Sequence, residues 1–586
     1  MLDIDSNPRS IQSMYSWFID KKIYVNRRYQ RKLVWTLTEK QKLVESILRN
    51  YPIPAILLAE RDSGSYEIID GLQRLHTLMS FIETGFPSED KNHFDISLFP
   101  TAKLQAEDGH FVPTEADKLI SKSDVSTFLD YSLPISVMRG ATEADIDEVF
   151  SRINTYGHQL SDQERRQAGV QDEFSTLVRY IAAKLRGDES SNILTLAEMP
   201  AISIDLPMTK HGYSVVAEDV FWVNQGILRS TGLRDSMDEQ CIADIIACIV
   251  GGQLIPRSRD ALDAIYTRNS SENSRIAGAL KVHGADKITD EIVYCVDQIL
   301  EMCAENGKQK LRELIFSKPT SNAFPAVFTT IVISFYESLI VGKKKISNRA
   351  GLKESLRGLS QHIDTGNGAV TPERRRKNID VIKGLMSPHL VDGDLRVVYA
   401  NHTTVDIDNV IRRSEVELPN IEFKQGAVNL APKRVLDNSV FEKVCKTICA
   451  IANIGKGRHG YVLVGVSDKF EDTERIKELD SIQPRAVGKK HVVGISREAA
   501  FLNESSEAYF TRWRNAIANS PLSDELKNSV LSQMDFNEYY GLGVIVITVP
   551  AQTSLSFYGG QVYWRKGDQT VIATEPMAIA EAAGRF

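Results

Sequence analysis

The sequence predicts an α+β multidomain protein made of an α/β head, an all-α connector and an α/β tail. Three observations carry this. Strand-like apolar runs alternate with helical patterns up to about residue 170, and they return after Glu415. Between those regions, residues 171–390 repeat amphipathic helical windows joined by short polar loops, the pattern of a helical bundle. The length, 586 residues, is enough for several separate cores. The expected boundaries are 1–170, 171–400 and 401–586, with 387–410 as a linker rich in short polar runs.

Composition narrows the class. Hydrophobic residues make up 42% and charged residues 25%, as in ordinary globular proteins. The net charge of −7 excludes a global basic field, so any nucleic-acid surface must be a local patch. Six cysteines with no C-x-x-C pair argue against a disulfide framework and against a zinc knuckle. The most apolar window, Phe324–Val341, is short and contains Glu337, so it reads as a buried helix and not a membrane span. No signal-peptide pattern opens the chain, and a reducing cytoplasm is the expected location, with no membrane partner.

In the head, Val25–Trp35 is polar and basic around Tyr29-Gln30-Arg31, with Trp35 as an anchor. A helix is expected from Thr38 to Asn50, with Leu43, Val44, Ile47 and Leu48 on one face. Ala55–Glu60 and Ser65–Ile69 read as strands joined by an Asp-Ser-Gly turn. The second strand runs into E-I-I-D-G-L-Q-R-L-H-T, with Asp70-Gly71 at the corner and Gln73 and Arg74 in the first helical turn. A helix start offers free N–H groups and a positive dipole end, which suit a phosphate, and an arginine adds a bidentate grip. Asp-Gly before a helix is also an ordinary cap and turn. Residues 86–132 read as a polar, irregular insertion, Leu133–Met138 as a strand and Glu143–Ile153 as a helix. Asn154 and Gly157 then mark a turn before a helix starting at Ser161 or Asp162.

The ordered set Y-Q-R, W, I-I-D-G-L-Q-R-L-H-T-L and F-S-R-I-N-T-Y-G-H-Q-L-S-D-Q-E resembles the GmrSD-type N-terminal domain family over about residues 10–170. That family is related to the ParB/sulfiredoxin fold and occurs in modification-dependent restriction and other phage-defence proteins. The resemblance implies nucleotide binding and hydrolysis, with Asp70, Gly71, Gln73 and Arg74 in the pocket, lined also by Gln30, Arg31 and Asn154. Leu72 stands where the family usually has glutamine, which leaves binding and hydrolysis as separate alternatives.

The connector carries no chemical motif. Its helical windows are clearest at Cys241–Val250, Asp290–Cys303, Phe324–Val341 and Leu352–Ile363. The basic runs Lys343-Lys344-Lys345 and Arg374-Arg375-Arg376-Lys377 read first as solvated faces, and phosphate contact is the minority reading.

The tail opens with E-L-P-N-I-E-F-K, where Glu422 and Lys424 alternate with Ile421 and Phe423. An amphipathic helix, Asn438–Ala452, follows. Next come I-A-N-I-G-K-G-R-H-G, a strand at Tyr461–Val466, and Asp468 at its exit. Val492–Ile495 and Val544–Val549 read as strands and Ser505–Ile517 as a helix. Carboxylates from neighbouring strands suit Mg²⁺ or Mn²⁺, and a lysine beside them can stabilise phosphate charge or help a water lose its proton. The competing reading of Glu422 and Lys424 is the solvent face of an amphipathic strand.

E-x4-E-F-K, the helix ending A-x-A-N, G-Y-V-L-V-G-V-S-D and V-Y-W-R-K-G-D-Q-T together resemble the Schlafen AlbA_2 domain over about residues 413–575. The resemblance implies a metal-dependent nuclease in which Glu417, Glu422 and Asp468 hold the metal and Lys424 adjoins them. Arg458, Arg512, Arg514 and Arg565 are the expected nucleic-acid contacts; Trp513 alternatively anchors its helix inward, and Arg565 is alternatively an edge charge.

The two resemblances imply an anti-phage defence effector. They imply a nucleotide-binding head, with a nucleoside triphosphate as the expected ligand, that controls a metal-dependent tail cutting DNA or RNA. The alternatives are a nucleic-acid-binding regulator with a ligand-sensing head, and an NTPase whose tail only targets nucleic acid. Assembly as a homodimer or higher oligomer is expected from the Schlafen resemblance.

Overall fold

The computed structural model describes residues 3–586 apart from 28–31, 62–63, 157–160, 168–169, 171, 189–192, 206–210, 251, 308, 366–370, 394–406, 409, 412–418, 538 and 568. The mixture of helices with several separate sheets makes it an α+β multidomain protein. The chain divides into two compact units. One holds Met1–Cys295, Gly307–Gly342 and Ile346–Val391, and the other Val296–Asn306, Lys343–Lys345 and Asp392–Phe586. The first takes in nearly all of what the sequence reads as head and connector.

The head is built on a six-stranded sheet among the described residues. Its strands are β1 (Asp3–Ser6), β2 (Ile23–Asn26), β3 (Ile56–Arg61), β4 (Ser65–Asp70), β5 (Ile135–Arg139) and β6 (Ile193–Thr195). The spatial order is β1-β5-β3-β4-β2-β6. β3 and β4 form the expected antiparallel hairpin, with a register shift at Leu57/Leu58. β2 lies parallel to β4, and β5 parallel to β3. Helices α1 (Ile11–Ile19), α2 (Leu37–Leu48) and α3 (Leu72–Ile82) share the larger core with one face of the sheet. Further along the chain, α4 (Glu143–Tyr156) packs Ile146 and Phe150 against Ala59, Ile69 and Met138 on the other face. It runs through Asn154, where the sequence placed a turn.

Residues 86–132 are not the irregular insertion that their polarity suggested. Pro100–Glu107 and Lys122–Asp130 are helices, and Phe94 packs edge-on and Phe128 tilted against Phe81 at ring-centroid distances of 5.9 and 5.2 Å. A few widely spaced aromatics supply enough buried area to order an otherwise polar segment.

The connector helices include α5 (Glu173–Arg186), α6 (Met237–Val250), α7 (Pro325–Phe335) and α8 (Pro372–Met386). The window read as a helix over Leu352–Ile363 is instead a helix at Arg349–Ser355 and a 3₁₀ turn at Leu359–Gln361, with Gly358 in a left-handed conformation between them. The run Arg374–Lys377 is not a uniformly solvated face. Arg375 is buried and grips Asp244 with two nitrogens at 2.7 and 3.1 Å, while Arg376 pairs with Glu337 at 2.8 Å.

In the tail, a four-stranded sheet orders β7 (Ile421–Lys424), β8 (Gly460–Val464), Val544–Val549 and Met534–Asn537, with β7 and β8 parallel. All six residues of Val544–Val549 are buried, as their continuous apolarity predicts. Helix α9 (Ser439–Ala452) lays Val444, Ile448 and Ile451 on one face of this sheet with Val462 and Val464. A two-stranded hairpin, β9 (Tyr563–Lys566) and β10 (Gln569–Ile572), packs on α9.

Candidate functional site

β7 alternates as its sequence predicts, with Ile421 and Phe423 in one core cluster of the tail. Glu422 and Lys424 therefore share the opposite face, where Val462 and Val464 are their register partners on β8. Lys424 Nζ donates to Glu422 Oε1 at 2.5 Å. From the hairpin, Arg565 donates through one guanidinium nitrogen to Glu422 Oε2 at 3.1 Å and to Thr570 Oγ1 at 3.1 Å. The Arg565 side chain is only 2% exposed and that of Glu422 17%. Nε of Arg565 is buried without a hydrogen-bond partner. One carboxylate thus sits between two cations, and one of those cations is withdrawn from water.

Four hydrogen bonds place the hairpin and the segment before it. Thr447 on α9 meets Thr570 at 3.1 Å. Asn453, fully buried at the end of α9, donates to the Tyr563 and Ser556 carbonyls at 2.8 and 2.9 Å, and its own oxygen accepts from Ser556 N–H at 2.8 Å. In the sequence Asn453 ends A-x-A-N and opens the basic turn that follows, and nothing there marks it as a brace. Its structural role is to hold the strand that delivers Arg565.

The end of β7 is fixed by a second buried network. Glu498 accepts the N–H groups of Ala427 and Val428 at 2.8 and 3.0 Å and the Tyr509 hydroxyl. Arg497 beside it donates to the Gln425 carbonyl at 2.8 Å. Burial raises the Glu498 carboxyl above its usual range, against the opposing pull of Arg497. Gly426, at φ +153°, admits no side chain, because a Cβ there would collide with the Glu498 carboxylate. Sequence reasoning missed Glu498, since nothing near it marks a site.

The other expected tail residues fall in different places. Asp468 is exposed just after the short strand Val466–Ser467. Glu417 lies outside the described residues. Among the described residues, no group of three or more His, Cys, Asp or Glu side chains is placed to hold a metal. Arg458 and Arg514 are exposed. Arg512 pairs with Glu504, and Trp513 is buried edge-on to Phe441 at 4.6 Å, so Trp513 anchors its helix inward. Arg565 is neither a surface phosphate contact nor an edge charge in this arrangement: it is buried against Glu422.

Residues 14–170 match the GmrSD restriction endonuclease, N-terminal domain, and residues 417–574 match Schlafen, AlbA_2. The chain joins these two domains. No curated protein and no solved structure matches it. The pairing supports a defence or restriction protein that acts on nucleic acid.

In the GmrSD-type domain, the loop from β4 to α3 turns at Gly71, which has φ +103° and caps α3 without any side-chain hydrogen bond. An added Cβ at Gly71 would lie 3.0 Å from Ile56 Cγ1. Asp70 does not cap the helix but pairs with Arg74 at 2.5 Å. Arg74 also donates to the Pro54 and Ala55 carbonyls at 2.6 and 3.0 Å. Gln73 braces the neighbouring loop: its oxygen accepts from Val34 and Trp35 N–H at 2.9 and 3.3 Å, and its nitrogen donates to Lys32 O at 2.8 Å. Gln30 and Arg31 lie outside the described residues, as does the side chain of Asn154. His76 is buried and stacked on Tyr213 at 5.4 Å, and burial followed by Lys40 holds its ring well below the usual histidine range. In the Schlafen AlbA_2 domain, Cys445 and Cys449 are both buried, with thiols pushed up to about 11 by burial. Among the described residues, no helix is long and apolar enough to cross a membrane.

Proposed function

We propose that the protein is a defence nuclease whose Schlafen AlbA_2 domain cleaves DNA or RNA at Glu422, under control of a nucleotide bound by the GmrSD-type domain. The observation that carries the reading is the Glu422 carboxylate held between Lys424 and buried Arg565 on one sheet face. In hydrolysis, Glu422 takes the proton of the attacking water while the water oxygen bonds to phosphorus. The bond to the leaving sugar oxygen breaks, and that oxygen is protonated from solvent. Lys424 and Arg565 offset the added negative charge at phosphorus.

Mg²⁺ or Mn²⁺ belongs to this proposal. Glu417, Glu422 and Asp468 are oxygen donors, the chemistry these ions take, and would hold the ion. When bound, it supplies charge compensation at the phosphate and lowers the pKa of water. The described residues do not bring three such donors together, so no step above runs through it.

In the head, Asp70, Gly71, Gln73 and Arg74 would bind the phosphates of a nucleoside triphosphate, with Gln30, Arg31 and Asn154 completing the pocket. The uncapped start of α3 supports this, as does the bond by which Gln73 ties it to the loop after Arg31.

The test is cleavage of DNA and RNA by the full chain, with Mn²⁺ and with EDTA, with and without nucleoside triphosphates. Glu422→Gln should abolish cleavage, EDTA should suppress it, and Asp70→Ala should remove its nucleotide dependence. Equal cleavage by Glu422→Gln and the parent overturns the catalytic assignment. Tight nucleic-acid binding without cleavage would leave a regulator. Phosphate release that survives Glu417/Glu422 substitution but is lost in Asp70→Ala would leave an NTPase with a targeting tail.

A further inference from the structure

The face of β9 that carries Arg565 continues past it. Tyr563 is two residues before Arg565 and so projects to the same side, toward α9. Tyr558 stands edge-on to Tyr563 at 6.0 Å. Lys446 on α9, ion-paired with Glu442 at 2.6 Å, places its ammonium 5.7 Å from the Tyr558 ring and 5.8 Å from the Tyr563 ring. Both rings are half-buried and pack against the tail core. The buried Asn453 fixes the backbone at both ends of this segment, at Ser556 and Tyr563. Glu422, Arg565, Tyr563 and Tyr558 thus form one row beside α9, from the carboxylate to an aromatic pair flanked by a cation.

We propose that Tyr558, Tyr563 and Lys446 form a subsite for an unpaired base of a single-stranded nucleic acid whose scissile phosphate lies at Glu422. Tyrosine faces stack on any base, and a neighbouring ammonium suits the phosphate that the base carries. Base pairs inside a duplex do not satisfy the site, because their faces are covered by the neighbouring pairs. The row therefore selects single strands, loops or overhangs. This subsite rests on the catalytic reading of Glu422 for its register, but its base-binding is separable from cleavage.

The experiment measures equilibrium binding of fluorescein-labelled oligonucleotides to the full chain in EDTA, as single strands and as loop-free blunt duplexes, in DNA and RNA arms. Tyr563→Leu and Tyr558→Leu should each weaken single-strand binding by about tenfold and leave duplex binding unchanged. Lys446→Gln should weaken it less and flatten its salt dependence. The DNA and RNA arms name the natural sugar. Should the leucine variants fail to fold, 5-iodouracil cross-linking to the parent gives the answer: adducts at Tyr558 or Tyr563 support the subsite, and adducts only elsewhere overturn it. Unaltered single-strand binding in both leucine variants also overturns it. A parent that binds through these tyrosines but never cleaves would sink the nuclease reading and leave the subsite standing.

Discussion

The head and the tail each hold a carboxylate against an arginine, and the two pairs differ in construction. Asp70 and Arg74 are four residues apart, and Asp70 keeps 43% of its side chain in water. Glu422 and Arg565 are separated by 143 residues, and Arg565 is almost wholly buried. The head pair ties a strand end to the first turn of the following helix. The tail pair locks a hairpin onto a sheet and keeps one cation out of water. The head pair is part-buried, with Arg74 11% and Asp70 43% exposed, and its more exposed carboxylate is the easier of the two to remodel by a ligand, whereas a buried pair is costly to break from either side. The first construction suits a sensor and the second a fixed reaction site.

The sharpest way to break this contrast is through activity. Glu422→Gln should lower cleavage by about a thousandfold with the fold intact, while Asp70→Asn should change only the response to nucleotide. Matching losses in both, measured by initial rates with and without nucleoside triphosphate, would erase the distinction.

Stability provides the next comparison. Arg565→Met leaves Glu422 without its buried partner and should destabilise the tail by about 3 kcal/mol in denaturant titrations. Arg74→Met should cost the head about 1.5 kcal/mol, chiefly through the two carbonyl hydrogen bonds. The reverse order would show that Arg74 is the more deeply committed of the two.

Gly71→Ala should cost about 1 kcal/mol, from the left-handed backbone and the approach to Ile56. A thermal melt reads it, and an unchanged midpoint would mean that the loop at α3 relaxes freely.

A further, pH-dependent effect concerns Glu83, which accepts from the Tyr15 hydroxyl at 3.3 Å. Burial lifts its carboxyl from the ordinary 4.5 to about 7. The folded state therefore keeps a proton that the unfolded state releases. The contribution to stability is complete below pH 4.5 and is lost as pH rises through about 7. Glu83→Gln should flatten that slope for the unit containing the head, measured as unfolding midpoints from pH 4 to 8. A slope that persists would assign it to another group.

What the sequence determined by itself was local. Apolar runs about an Asp-Ser-Gly turn marked β3 and β4, period-two alternation marked β7, period 3.6 marked α9, and the Asp-Gly corner marked the start of α3. Motif order identified both domain types, because each motif is a short run whose spacing survives without knowledge of the fold. Alternation also put Glu422 and Lys424 on one face. Tertiary structure decided everything that depends on partners far along the chain. It turned Arg565 from a surface charge into the buried clamp on Glu422, and it made Asn453 and Glu498 the braces of the site. It buried Arg375 within a run that reads as solvated, and it ordered residues 86–132 around a few phenylalanines. The physical reason is the same in each case. Backbone periodicity is written in neighbouring residues, but the burial of a charge or a ring is set by which distant segment covers it.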